Sequence, residues 1–158
     1  MSVPPAAFAQ RSLNAPVGSE IYDRIWNDFL TKFKSHLDEK GWFDKTVLYM
    51  DETREPTMKP VIKLIQANNP NWKIGLAGSH VSAATENALF DYSSILGSER
   101  ETASTPGRIS TFYTSCSQLF PNAYVTARTS PAEMPWMAWY AANTHRDGYL
   151  RWAYDYWT

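Results

Sequence analysis

Asp51 and Glu52 are the residues whose types and placing most suggest chemistry. They follow directly on Thr46-Val47-Leu48-Tyr49-Met50, an apolar run that reads as a short buried strand. An interior parallel strand that ends in acids presents them at the carboxyl edge of its sheet, where α/β proteins hold their ligands. Successive residues of a regular strand point to opposite faces, so one pocket receives both acids only if the backbone turns at the strand end. Taken alone, the pair reads equally well as a helix cap, Glu52, beside a solvated acid, Asp51.

The elements that must position this pair can be read along the chain. Residues 1–19 hold three prolines and many small side chains and are expected to form an arm or linker. A helix is predicted from Glu20 to Gly41, with Ser19 as N-cap and Gly41 as stop. Its inner face is expected to carry Ile21, Ile25, Phe29, Phe33 and Leu37, widened by Trp26 and Leu30. After the Asp51 strand, a helix over Thr57–Asn68 turns Met58, Val61, Ile62 and Ile65 inward, with Pro56 and Pro60 near its first turn. Trp72–Gly78 is the next strand, with Ser79 and His80 at its end. A short helix over Ala83–Phe90 precedes a strand over Asp91–Leu96. Arg108–Tyr113 reads as a strand, Tyr124-Val125 as a weak extended segment, and Pro131–Asn143 as a helix with Met134, Met137, Ala138, Ala141 and Ala142 on its inner face. The last strand is Tyr149–Tyr154. Strands alternating with helices, without hairpin signals, indicate βα units and a parallel sheet.

Composition narrows the function. The chain has 158 residues, 44% hydrophobic and 20% charged, which suits one globular domain with a core. A formal net charge of −1 argues against nucleic acid as the main partner. No apolar run approaches the ~20 residues of a membrane span, and the start lacks the pattern of an export signal. Cys116 is the single cysteine and there are three scattered histidines, so neither an internal disulfide nor a zinc spacing is expected, and no metal or cofactor is implied. Cys116 reads as a thiol without chemistry. Aromatic residues are the outlier at 15%, with seven Trp and nine Tyr, a composition that fills cores and also lines sugar or peptide grooves.

Three stretches in order carry a resemblance. They are His36–Asp44 running into Tyr49-Met50-Asp51-Glu52, then Trp72-Lys73-Ile74-Gly75-Leu76-Ala77-Gly78, then Thr111-Phe112-Tyr113-Thr114 through Pro121-Asn122, Ser130–Glu133 and Trp139–Ala142 to Asp147–Tyr154. From about Tyr22 onward the chain resembles the catalytic domain of glycoside hydrolase family 123 and its bacterial relatives. The resemblance implies an α/β fold that is part of a (β/α)8 TIM-like barrel, about strands four to eight with their helices, over residues 20–158. The family's first three strands and its β-sandwich have no counterpart in these residues. The resemblance also implies removal of terminal β-linked N-acetylgalactosamine by substrate-assisted, retaining chemistry, in which the 2-acetamido oxygen attacks its own anomeric carbon. Glu52 matches the general acid and Asp51 the residue that holds the acetamido N–H. An ionised carboxylate disfavours ionisation of its neighbour, which is what such a pair needs.

On that reading Trp152 stacks under the sugar, sharing a strand face with Leu150 and Tyr154, while Tyr113 donates to the acetamido oxygen. His80 touches a hydroxyl, and Tyr49, Tyr154 and Trp157 are further wall residues. Plainer readings stand beside each of these: a core tryptophan, a half-buried tyrosine, a solvated loop histidine. Arg151 is given no catalytic role. The expected partner is a glycan or glycoconjugate, with self-association through exposed sheet edges. Relatives of this kind are usually exported, and these residues do not fix a compartment. Two function classes remain: a glycosidase, or a relative that binds glycan or lacks activity alone.

Overall fold

A computed structural model describes residues 15–78, 81–97, 106–115, 118 and 130–151. The first helix, α1 (Glu20–Lys40), has local causes at both ends. Ser19 takes an extended conformation and its Oγ accepts from Tyr22 N at 3.2 Å. Gly41 adopts φ 66°, and the amides of Gly41 and Trp42 reach back to Asp38 O and Leu37 O at 3.0 and 2.8 Å. Only a residue free of a β-carbon takes that left-handed turn cheaply.

The inner face of α1 matches the expected one at Leu30 and Leu37 and departs from it nearer the N-terminus. Tyr22, Leu30 and Leu37 are buried, whereas Ile21, Ile25 and Phe29 are 49%, 38% and 36% exposed. The helix has apolar residues over more than one face, and ring contacts select among them. Tyr22, Trp26, Phe29 and Phe33 form a ladder with centroids 5.5–6.1 Å apart, and Phe33 stacks on Trp72 at 6.1 Å.

A 3-10 turn at Phe43–Lys45 leads into β1 (Val47–Asp51), followed by α2 (Glu55–Asn68), β2 (Lys73–Ala77) and the short α3 (Ala83–Glu86). Helix α2 starts two residues earlier than the sequence suggests, because Arg54 O already accepts from the amides of Thr57 and Met58 at 3.0 Å. Pro56 therefore sits in the first turn and Pro60 inside the helix. Met58, Val61, Ile62 and Ile65 face inward as expected. Then come β3 (Asp91–Ile95), β4 (Ile109–Tyr113), α4 (Glu133–Asn143) and β5 (Gly148–Leu150). The part of the expected last strand beyond Arg151 lies outside the described residues, as do Tyr124, Val125, Cys116 and residues 1–14 of the arm.

The strands form one sheet in the order β1-β2-β3-β4-β5. Each strand is laid beside its predecessor, which is how a barrel winds; a doubly wound sheet reverses direction partway. This is an α/β fold, and among the described residues the sheet is open. The chain divides into two compact units: the described residues up to Leu76 together with Val81–Leu89, and Ala77, Gly78 and the described residues from Phe90 onward.

In the first unit Leu48 and Met50 of β1 are buried, while Tyr49 lies on the other face over Gly75. A β-carbon at Gly75 would sit 2.6 and 2.9 Å from Cδ2 and Cζ of the Tyr49 ring, so the ring occupies the room that glycine leaves. In the second unit β3, β4 and β5 run parallel, with Ser93 opposite Thr111, Ile95 opposite Tyr113, Phe112 opposite Tyr149 and Tyr113 opposite Leu150. Among its described residues Phe112 and Met137 form an apolar cluster, flanked by Leu96, Tyr140, Ala141 and Tyr149. Of the five residues expected on the inner face of α4 only Met137 is buried; Met134 is 42% exposed. Glu133 is turned in instead and accepts from Ser130 N at 3.0 Å, and Trp136 stacks on Tyr140, which meets Phe112 edge-on.

Candidate active site

Strand β1 delivers Asp51 as its last residue and Glu52 as the first beyond it, both exposed. Glu52 has φ 42°, a left-handed conformation unusual for a residue with a side chain. That dihedral ends the alternation that would otherwise put Glu52 on the face opposite Asp51. Strained backbone of this kind concentrates at functional sites. Thr53 closes the turn, its Oγ1 donating to Asp51 O at 3.1 Å. The helix-cap reading of Glu52 does not hold: the N-cap of α2 is Arg54, two residues on.

A third acid, Glu55, stands at the first position of α2. Its carboxylate accepts from Ser82 N at 3.2 Å, from Ser82 Oγ, and from Thr85 Oγ1 at 2.5 Å, and it pairs with Lys59 Nζ at 3.3 Å. The Ser82 and Thr85 hydroxyl bonds, above all, hold its pKa down at about 2 against an ordinary 4.5, since each favours the charged form. Ser82 is also the N-cap of α3. Glu55 thus ties the turn after β1 to the loop after β2.

Of the other residues singled out in the sequence, Tyr49 shares its strand face with Asp51 and is half-buried. Tyr113 belongs to the second unit, where it ends β4, half-buried and level with Leu150. Next to it Thr114 is buried and its Oγ1 lies 2.6 Å from Tyr149 Oη. His80, Trp152, Tyr154 and Trp157 lie outside the described residues. Sequence reasoning missed Glu55, whose one local signal is the four-residue spacing to Lys59. It also missed Asp91, buried at the start of β3, which accepts from Thr111 Oγ1 at 3.1 Å. Among the described residues no cluster of three His, Cys, Asp or Glu side chains is placed to hold a metal. No helix among them is long and apolar enough to cross a membrane.

A parallel sheet wound in one direction, with an acid pair where a strand gives way to a left-handed turn, is the frame of a barrel-type glycosidase domain. The chain belongs to glycoside hydrolase family 123: the family model described as "Glycoside hydrolase 123, catalytic domain" matches residues 6–158. Among solved structures it is similar to a family 123 glycoside hydrolase from Clostridium perfringens, determined in a study of glycolipid glycan hydrolysis. The two share 28% identity with a TM-score of 0.76 over 89% of this chain and 26% of that one. This chain therefore spans about a quarter of that protein's length. No curated protein matches it. The open α/β sheet described above is thus part of a TIM-like barrel.

Proposed function

We propose that this domain cleaves terminal β-linked N-acetylgalactosamine from a glycoconjugate by substrate-assisted catalysis. The observation that carries this reading is the left-handed turn at Glu52, directly after Asp51 at the carboxyl end of β1. The acetamido oxygen of the substrate forms a bond to its own anomeric carbon as the glycosidic bond breaks. Glu52 gives its proton to the leaving oxygen. Asp51 accepts a hydrogen bond from the acetamido N–H and offsets the positive charge that grows on the ring. In the second step Glu52 takes a proton from water, which opens the cyclic intermediate and restores the sugar with retained configuration. Tyr113 would align the acetamido oxygen, Trp152 would stack under the ring, and His80 would bind a hydroxyl. Tyr49, Tyr154 and Trp157 would complete the walls. The glycolipid chemistry of the Clostridium perfringens relative supports a glycoconjugate substrate.

The test is chromophore release from an aryl 2-acetamido-2-deoxy-β-galactoside. Glu52→Gln is expected to cut kcat by about a hundredfold or more, the usual worth of a general acid. Asp51→Asn should lower kcat comparably and leave KM less affected. Unchanged turnover in Glu52→Gln rejects the assignment. A second reading is a glycan binder without turnover. It predicts quenching of tryptophan fluorescence by N-acetylgalactosamine in a protein that releases no chromophore.

A further inference from the structure

Within the first unit only Thr53 and Arg54 separate Glu52 from Glu55, so whatever fixes the start of α2 also fixes the turn that carries the acid pair. That turn is held in an unfavourable state. Glu52 has φ 42°, a conformation that a residue with a side chain keeps only where its surroundings impose it. On the strand side the restraint is plain: Met50 is buried, and Thr53 Oγ1 donates to Asp51 O at 3.1 Å. On the helix side the usual device is missing. Arg54, the N-cap of α2, makes no side-chain hydrogen bond to the first turn, and a helix end without a cap frays. The first buried residue of α2 is Met58, a turn further in.

Glu55 supplies the missing anchor. Its carboxylate accepts from Ser82 N at 3.2 Å, from the Ser82 hydroxyl and from Thr85 Oγ1 at 2.5 Å. These partners are themselves fixed: Thr85 is buried, and Ser82 caps α3, its Oγ accepting from Thr85 N at 3.4 Å. Lys59 Nζ, 3.3 Å away on an exposed side chain, adds a weaker pairing. With its pKa held at about 2, Glu55 is ionised near neutrality and has no proton to give, so it is not itself the acid.

We propose that Glu55 is a positioning residue for glycoside cleavage: by tying the first turn of α2 to Ser82 and Thr85, it holds Glu52 in its left-handed turn and keeps the general acid from swinging to the face opposite Asp51. The inference rests on Glu52 acting as that acid. Released from the tether, residue 52 relaxes to extended backbone and the alternation of the strand resumes. Its proton then no longer reaches the leaving oxygen.

Leaving groups of different acidity separate this role from a mere loss of folded protein. Phenol needs a proton in order to depart, whereas dinitrophenolate departs without one. On the phenyl 2-acetamido-2-deoxy-β-galactoside, Glu55→Gln is expected to lower kcat/KM by roughly tenfold, the effect of a misplaced catalytic group. On the dinitrophenyl glycoside it should stay near wild type. Unfolded enzyme lowers both rates alike, so their ratio does not depend on how much protein is folded. Thr85→Val, which removes one donor and keeps the shape of the side chain, should show a smaller contrast of the same sign and serves if Glu55→Gln folds poorly. Glu52→Gln should show the largest contrast, and adding Glu55→Gln to it should bring no further loss on the phenyl glycoside, since no acid is left to position. If Glu52→Gln shows the contrast while Glu55→Gln and Thr85→Val slow both substrates equally or neither, the positioning role is overturned and Glu52 remains the acid. If Glu52→Gln itself shows no contrast, the catalytic assignment fails and the positioning role falls with it.

Discussion

The carboxylate of Glu55 gathers the Ser82 amide, the Ser82 and Thr85 hydroxyls and the Lys59 ammonium, three residues after Glu52 on the same turn. Its pKa is held at about 2, below the ordinary 4.5, so the folded state binds this proton less readily than the unfolded chain does. The resulting support is complete above the unfolded value and fades as pH falls from 4.5 to about 2. Glu55→Gln should therefore melt at lower temperature than wild type near neutrality, and the gap should close as pH falls through that window. Thermal melts by circular dichroism at stepped pH measure it; a gap that stays constant down to the acid end contradicts the role given to the charge. None of this was legible in the sequence beyond the pairing with Lys59. The hydroxyl partners stand 27 and 30 residues away, and only the fold brings them within bonding distance.

Elements were legible where their causes are local. Ser19 and Gly41 bound α1 through hydrogen bonds to residues within a turn, and such chemistry is written in the residue types themselves. Which residues of that face are covered is decided by partners distant in sequence: Phe33 meets Trp72, and Leu30 and Leu37 are buried as expected, whereas Ile21, Ile25 and Phe29 stay exposed and Tyr22 is buried instead. The same happened on α4, where the inward turn of Glu133 and the Trp136–Tyr140 stack took precedence over a row of methionines and alanines. The observed burial along α1 has a direct consequence for stability. Leu30, 1% exposed, should cost about 2–5 kcal/mol when cut to alanine. Ile25, 38% exposed, should cost under about 1 kcal/mol in the same change. Equal losses in urea titrations would mean that this pattern of burial is wrong.

At the scale of the molecule, the parallel sheet followed from strands alternating with helices, and the family with its barrel-type arrangement from three ordered stretches around Asp51-Glu52. The character of the second unit did not. Asp91-Tyr92-Ser93-Ser94 reads as a weak strand, yet every one of its side chains is buried. Among the described residues, most large buried hydrophobic ones belong to the first unit, among them Leu48, Met58, Ile65, Ile74 and Leu89, while those of the second centre on Phe112 and Met137. Amides of β3 and β4 should accordingly exchange with deuterium faster than those of β1 and β2, because local opening there exposes less apolar surface. Slower exchange in β3 and β4 would refute that ordering. The same seam of Asp91, Ser93, Ser94, Ser110 and Arg146 also shapes the response to temperature. Hiding polar groups lowers the heat capacity released on unfolding, whereas hiding apolar ones raises it. On the described residues, the second unit is expected to show the shallower dependence of stability on temperature, and chilling, which loosens oily cores, should take less from it than from the first unit.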